Sequence, residues 1–476
     1  MSARLPRRRF IASVAGPVLA SVARTRAARA QPENPVVVVG AGLAGLRAAS
    51  LIREAGQRVI VLEARGAPGG RVRTLRAPFT HGLHGEAGAA RFAHSHARVL
   101  RLVIESGLTL MPFATPSGAP LISTQLGRWR FPDGLKAAAA AFKLEPEEAG
   151  LAPGALLQRY VGPLPRELRE PTTPTAEALQ KWQAYDRVTW PDWLRSRGAS
   201  PGAIRLMTLG GDSRQLSALY VLRQMALLGG SNEFYKIEGG MDRLVQALAR
   251  RVAGDIRYSS PVTRVDQGPR TVAVGYLNAG RAVSLSASRV IFTNPFATLR
   301  QISVHPVLSA SKGRVIAELP YYPATRILLQ SKSRFWAADK LSGSARTDDP
   351  AEIWDAAHDQ AGPAGLLSAT VGRDLGAAPA RESGAQALGR GVALVETAFP
   401  GLRGQYEHGA MVSWAQEPWS RGAFAVFHPG QMTAFASEIA RAEDRIHFAG
   451  EHTSPWTGWM EGALESGERA AAEVLR

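Results

Sequence analysis

Residues 85–92 read GEAGAARF, a run of glycine and alanine that ends at one guanidinium, Arg91. Small residues let a second backbone or a flat ligand approach closely, so a charge at the edge of such a run is placed to hold something lying against it. A planar fork with two parallel N–H groups is the natural partner of a carboxylate or a phosphate. Upstream, Gly40, Gly42 and Gly45 form G-x-G-x-x-G directly after the valines Val36 to Val39, and an acid, Glu63, stands 23 residues beyond Gly40. One glycine of that pattern turns the chain, one lets backbone reach a pyrophosphate, and one packs helix on strand. The helix N-terminus adds amides and a positive dipole, and the acid accepts from ribose hydroxyls. The pattern suits NAD and FAD alike.

Two further groups extend this site. Past Glu63, Ala64 and Arg65 lead to Gly69, Gly70 and Arg71, a second glycine–arginine segment suited to pyrophosphate. Near the other end, the apolar IHFAG runs through Gly450 into Glu451, followed by a tryptophan-bearing loop and a helix predicted from about Met460. His94 and His96 have the spacing of a ligand pair, but at a loop–helix start an ordinary surface role is the expectation.

Positioning these residues needs a parallel strand at Val36–Val39, a helix after Gly42 and a second strand at VIVLEA. Residues 96–235 read as mainly helical, with proline-rich breaks near 144–175 and a helix start in PTTPTAEALQKW at which Thr175 is the N-cap. This insertion is expected to form much of a lid. A chain of 476 residues exceeds one compact core, so two domains are expected.

Composition narrows the function classes. The net charge of +17 is concentrated at the start, where residues 1–30 hold seven arginines and no acid; the remainder carries +10 without basic runs or interleaved aromatics. Nucleic-acid binding is therefore not expected, and an electropositive surface that attracts anionic substrates is the milder reading. Arg7-Arg8-Arg9-Phe10, a short apolar stretch and Ala28-Arg29-Ala30 have the form of a twin-arginine export signal with a small-residue cleavage site, implying a periplasmic or secreted protein. The apolar stretch is too short to span a bilayer, and no stable membrane insertion is expected. The chain contains no cysteine, so disulfides, thiolate metal sites, cysteine nucleophiles and sulfur-tethered cofactors are excluded. No metal site is expected.

The segments GAGLAGLRAA…VLEARGAPGGRVRT and FAGE…GWMEGALESGERAA, with KIEGGMDRLVQALARRV, SSPVTRV, VIFTNP and SRFW between them, resemble the FAD-dependent amine oxidase family. That family includes monoamine, polyamine and L-amino-acid oxidases. The resemblance covers most of residues 35–476 and implies an α/β, Rossmann-type FAD-binding domain plus an α+β substrate domain with a helical insertion. The implied division is 31–95 with 236–300 and 430–476 for FAD, and 96–235 with 301–429 for the substrate domain and lid.

Carried over by position, Glu63 contacts the adenosine ribose, Arg71 the pyrophosphate, the backbone of Val262 the adenine edge, and Glu451 the ribitol–pyrophosphate region. Amides around Trp459 and Met460 face the flavin carbonyl. Trp414 matches an aromatic near the isoalloxazine, with plain core packing as its alternative. Gly88, Ala89 and Ala90 lie beside the flavin. The FAD is expected to be noncovalent.

Most amine oxidases follow that small-residue run with an aromatic, whereas L-amino-acid oxidases have a GAxR-like pattern whose arginine grips the substrate carboxylate. Here the residues are Gly88-Ala89-Ala90-Arg91, and Gly458-Trp459 matches the GW of the amino-acid oxidases. Arg91 is therefore expected to bind a carboxylate; the alternative is pairing with the FAD phosphates or with Glu86. A tyrosine that touches the carboxylate in those oxidases falls within AEIWDAAHD, where this chain has Trp354 and Asp355. The family lysine near flavin N5, nine residues before the Phe of an FW pair, is replaced by Arg326. Arginine can hold a water and place positive charge there but does not lose its proton. Electrons could then pass to a quinone or cytochrome in place of oxygen.

The expected reaction is oxidative deamination of an L-amino acid. Arg91, Arg326 and Trp459 are its catalytic candidates, and Arg91, Trp354, Gly458 and Trp459 the substrate contacts. An oxidase or dehydrogenase of carboxylate-free amines is the first alternative and a non-catalytic flavin-binding protein the second. Expected partners are a small amino acid or amine and dioxygen or another electron acceptor; a homodimer is a compatible assembly.

Overall fold

A computed structural model describes residues 34–114, 116–169, 176–229, 233–348, 351–373 and 384–476. Residues 1–30, expected to be an export signal, and Thr175 lie outside the described residues.

A five-stranded parallel sheet sits at the centre of one half. Its order is Ile256–Arg257, Val59–Leu62, Val36–Val39, Arg289–Phe292 and Ile446–Phe448. Val36 pairs with Val59 on one side and Arg289 on the other, and Val290 pairs with Ile446. Thus β-branched runs from three distant parts of the chain share one register. Both faces of the sheet are covered, so these strands are continuously apolar: Val36, Val37, Val38 and Val39 are all buried.

The helix Leu43–Glu54 follows Val36–Val39 and packs against the C-terminal helix Met460–Val474. The close approach requires small residues: a Cβ on Gly467 would stand 2.4 Å from the Ala44 carbonyl oxygen. Buried Glu461 joins the C-terminal helix to the helix Ala97–Glu105. Its carboxylate accepts from the N–H groups of Arg98 and Val99 at 3.0 Å each, satisfying donors that a helix start leaves unpaired.

The second large element is a seven-stranded sheet in the order Tyr406–Ser413, Thr325–Ser331, Gly365–Val371, Ala351–Asp355, Leu341–Thr347, Ala119–Thr124 and Gly127–Arg130. Ala119–Thr124 runs parallel to Leu341–Thr347 and the other pairs are antiparallel. Among the described residues of 96–235, short helices alternate with loops and with the strands Leu110–Pro112, Ala119–Thr124 and Gly127–Arg130. The latter two hold the insertion to the seven-stranded sheet. Leu110–Pro112 joins Phe92–Ala93 and Phe234–Ile237 in a three-stranded sheet.

Glu86 lies on the short strand Gly85–Glu86, and its carboxyl accepts from Thr74 Oγ1 at 2.9 Å and from the Met241 N–H at 2.9 Å. Burial raises its pKa to about 7, outweighing both hydrogen bonds; the nearby Asp242 acts in the same sense. An acid whose folded pKa lies above its unfolded one favours folding most below about pH 4.5, and that contribution is lost as pH rises through about 7. The stability advantage of wild type over Glu86→Gln should therefore fall by on the order of 3 kcal/mol between those limits. Thermal unfolding of both proteins across the range tests this; parallel stability curves would remove the assignment.

Candidate active site

One cavity of about 790 Å³ runs between the sheets and is lined by residues from both ends of the chain. Its walls include Gly40, Gly42, Glu63, Ala64, Arg65, Gly70, Arg71, Gly88, Ala89, Ala90, Arg91, Val262, Arg326, Trp354, Trp414, Gly450, Glu451, Gly458, Trp459 and Met460. Gly45, the third glycine of the G-x-G-x-x-G pattern, does not line it. A Cβ there would stand 2.0 Å from the Gly40 carbonyl oxygen and 2.9 Å from Thr293 Oγ1, so its hydrogen lets the helix start pack on the strand end.

At one part of the cavity the chemistry is that of an anion cradle. A Cβ on Gly42 would meet nothing within 4 Å, although Gly42 lines the wall, so space is left against its backbone. Gly42 caps the helix Leu43–Glu54 without any side-chain hydrogen bond, and the first turn holds no acid. The helix dipole therefore faces the cavity uncompensated. Glu63, 5% exposed, accepts from the Ala41 N–H at 2.6 Å and the Arg65 N–H at 2.8 Å. Burial raises its pKa, and the backbone hydrogen bonds oppose that shift. Arg65 reaches Glu417 at 2.7 Å and Ser420 Oγ at 3.1 Å. Arg71 Nη1 donates to Glu451 Oε1 at 2.7 Å, while Glu451 also accepts from the N–H groups of Ala425 and Gly458. Spare backbone space, uncapped amides, an acid and two arginines fit a dinucleotide diphosphate.

The small-residue run forms another part of the wall. A Cβ on Gly88 would stand 1.9 Å from the Arg71 carbonyl oxygen and 3.3 Å from the Trp414 ring. Trp414 is 3% exposed, and its Nε1–H donates to the Ala87 carbonyl at 2.8 Å. The tryptophan thus packs in the core and lines the cavity at once.

Beyond Gly88, cations and aromatic rings alternate. Trp459 stacks on Phe234 at 6.2 Å, and its Nε1–H donates to Gln224 at 3.0 Å. The Arg91 guanidinium carbon lies 5.0 Å from the Phe234 ring and 5.3 Å from Phe113. Phe113 meets Trp354 edge-on at 6.3 Å, and Trp354 lies 4.6 Å from the Arg326 guanidinium carbon. Such contacts contribute about 0.5–2 kcal/mol each and leave the N–H edges of a guanidinium free for other partners. Arg326 donates to the Gly88 carbonyl at 3.2 Å and Ser368 Oγ at 3.3 Å. Burial holds its pKa down to about 10, which still leaves it charged at neutral pH.

One expectation, the surface role of His96, is corrected here, and one alternative partner of Arg91 is replaced. Glu86 is not the acid beside Arg91, since it bonds Thr74 and Met241; the partner is Glu352, at 3.6 Å. Trp354 and Asp355 point to opposite faces, as adjacent residues of the strand Ala351–Asp355 do. Trp354 reaches the cavity, whereas buried Asp355 accepts from the Ala357 N–H and pairs with Arg334. His96 is fully buried against Trp456 and Trp459, and burial pushes its pKa down to about 3; His94 is exposed. No cluster of three or more metal-ligating side chains occurs among the described residues.

Sequence reading missed Glu352, Gln224 and Phe424, which also line the cavity. Glu352 was legible in principle, because period-two alternation puts it on the face of Trp354. Gln224 and Phe424 carry no local signal.

A branched side chain at Gly42 would fill the anion cradle without touching the fold. Gly42→Val should therefore remain folded and lose at least about tenfold in dinucleotide affinity, as measured by reconstitution of the cofactor-free protein. Unchanged affinity would remove the cradle assignment.

A family model for flavin-containing amine oxidoreductases matches residues 43–475. YobN of Bacillus subtilis (strain 168), whose name assigns it provisionally to the L-amino-acid oxidases, is 30% identical over 479 residues, covering 96% of this chain and 98% of that protein. L-amino acid oxidase Lm29 of Lachesis muta is 28% identical, covering 93% and 87%. The fold is shared with cyclohexylamine oxidase from Brevibacterium oxydans IH-35A (TM-score 0.76, 22% identity, 93% of this chain and 99% of that one). It is also shared with putrescine oxidase bound to putrescine (TM-score 0.77, 21% identity, 93% and 99%). The family-model match over most of the chain and the 30% identity to YobN establish that the chain belongs to the flavin-containing amine oxidoreductase family and uses FAD.

Proposed function

We propose that the protein oxidises an L-amino acid to the corresponding oxo acid and ammonia, with dioxygen reduced to hydrogen peroxide. One observation carries the choice of an amino acid. The Arg91 side chain, 33% exposed, lies on the cavity wall and makes no hydrogen bond among the described residues. A cation flanked by aromatic rings and joined to Glu352 only by a 3.6 Å ion pair keeps N–H donors for a carboxylate.

FAD, when bound, would supply the two-electron acceptor for the amine-bearing carbon, with dioxygen as the final oxidant. The residues of the chain orient and enclose. Glu63 and the Val262 backbone hold the adenosine end, and Arg71 and Glu451 the pyrophosphate and ribitol. The amides near Trp459 and Met460, at the start of a helix that has no side-chain cap, would stabilise negative charge on the flavin. Arg91 sets the carboxylate, Trp354 and Trp459 wall off water, and Arg326 keeps a positive charge beside the reacting face.

Residues 31–95, 236–300 and 430–476 form the FAD-binding part in this proposal, and 96–235 with 301–429 the substrate part. The segment 1–30 is read as a twin-arginine signal that exports the folded, loaded protein. A carboxylate-free amine is the second reading, favoured by the acid Glu352 beside Arg91.

Mixing the holoprotein anaerobically with L-amino acids and with simple amines should bleach the visible flavin band only with the former. Arg91→Met should raise the amino-acid dissociation constant by about 10- to 100-fold with the flavin retained. Bleaching by amines alone, or unchanged affinity in the variant, would overturn the reading. Arg326→Met should slow reoxidation in air by about tenfold or more while leaving anaerobic reduction nearly intact. Equal reoxidation rates would show that this charge has no part in the oxygen step.

A further inference from the structure

We infer that Glu352 is the docking partner of the substrate ammonium group, so that Arg91 and Glu352 together form a receptor for an α-amino acid zwitterion. This rests on the amino-acid reading above and identifies the residue that reads the amine.

The strand Ala351–Asp355 buries Ala351, Ile353 and Asp355 and turns Glu352 and Trp354 to the cavity. Glu352 is 36% exposed, and its carboxylate accepts no hydrogen bond among the described residues. Its ion pair with Arg91, at 3.6 Å, is longer than a charge-assisted hydrogen bond. A carboxylate has about four acceptor positions, and here they remain available to a donor in the cavity.

Three arginines face this acid. Arg91 stands beside it, Arg326 interacts with it across the wall, and Arg346 is its cross-strand neighbour on Leu341–Thr347. Its other neighbour across the sheet is Thr370. Arg326 is already engaged by Gly88 and Ser368, and Arg346 is exposed. Arg91 is oriented by Phe113 and Phe234 rather than by the acid.

The result is a fixed cation and a fixed anion side by side in a wall of tryptophan and phenylalanine. An α-amino acid carries an anion and a cation on one carbon, in the same proximity and with the opposite sense. Laid against the wall, its carboxylate meets Arg91 and its ammonium meets Glu352. A ligand with only a carboxylate gains Arg91 but faces repulsion from Glu352. A ligand with only an amine gains Glu352 and faces repulsion from Arg91. The pair thereby selects the zwitterion over either half.

Glu352→Gln keeps the shape and removes the charge. Holoprotein of wild type and E352Q, each checked for a retained flavin spectrum, is titrated with L-phenylalanine, L-leucine and L-lysine, with their decarboxylated amines, and with the carboxylic acids that lack the α-amine. Binding is read from the flavin spectrum, anaerobically for reducing ligands. E352Q should weaken the amino acids and the amines by about 10- to 100-fold and tighten the amine-free carboxylic acids by about threefold or more. Opposite signs for the two ligand classes cannot come from general damage to the site.

If amino acids and amines bind E352Q within about twofold of wild type, the inference falls while the amino-acid reading stands. If wild type binds only the amines and E352Q loses them, the amino-acid reading falls and Glu352 stands as the amine's partner. Wild type that binds none of the ammonium-bearing probes would overturn the inference outright.

Discussion

Glu451 is a buried carboxylate whose oxygens are met by three separated parts of the chain: the Arg71 guanidinium, the Ala425 N–H and the Gly458 N–H. A charge removed from water is tolerated only where its lone pairs are filled, and losing a donor leaves the full desolvation penalty in place. The site can therefore form only when the glycine-rich front of the chain closes against its last strand and helix. The parallel register of Val36–Val39 with Arg289–Phe292, and of Arg289–Phe292 with Ile446–Phe448, makes that closure the low-energy arrangement. Small residues at Gly88, Gly45 and Gly467 then permit the approach that the register demands.

What the closure creates is a cavity with two electrostatic characters. Near Gly42 the backbone amides and the helix dipole offer positive potential without side-chain bulk, which suits phosphate. At Arg91 and Glu352 the charges belong to side chains, stand next to one another and are framed by rings. A diffuse dipole is a good match for a diffuse anion, whereas paired point charges can tell a zwitterion from a simple ion. Arg326 lies between these characters, bound to the Gly88 carbonyl and stacked on Trp354. Its guanidinium is a fixed charge where a lysine would carry a removable proton.

The cofactor half of this arrangement was legible because its signals are local. The valines, the three glycines and Glu63 occur within 28 residues, and the backbone conformations they require follow from residue type alone. Gly450 and Gly458, each with positive φ, belong to the same class. The substrate half was legible only in part. Arg91 is visible at the end of its alanine run, yet the one acid nearby in the chain, Glu86 five residues away, is not its neighbour in space; Glu352, 261 residues away, is. His96 was read as a surface residue because nothing near it in the chain is aromatic except Phe92; the rings that bury it, Trp456 and Trp459, come from the other terminus.

By itself the sequence determined the parallel strands, the anion-binding turn, the absence of any cysteine chemistry and the presence of a guanidinium beside a run of small residues. These depend on side-chain size, backbone freedom and short spacing, all of which are written residue by residue. Only the tertiary structure decided which charge faces which: Arg91 with Glu352, Arg71 with Glu451, Trp354 under Arg326. Electrostatic and ring contacts depend on distance in space, and strands far apart in the chain set that distance when they enter a common sheet.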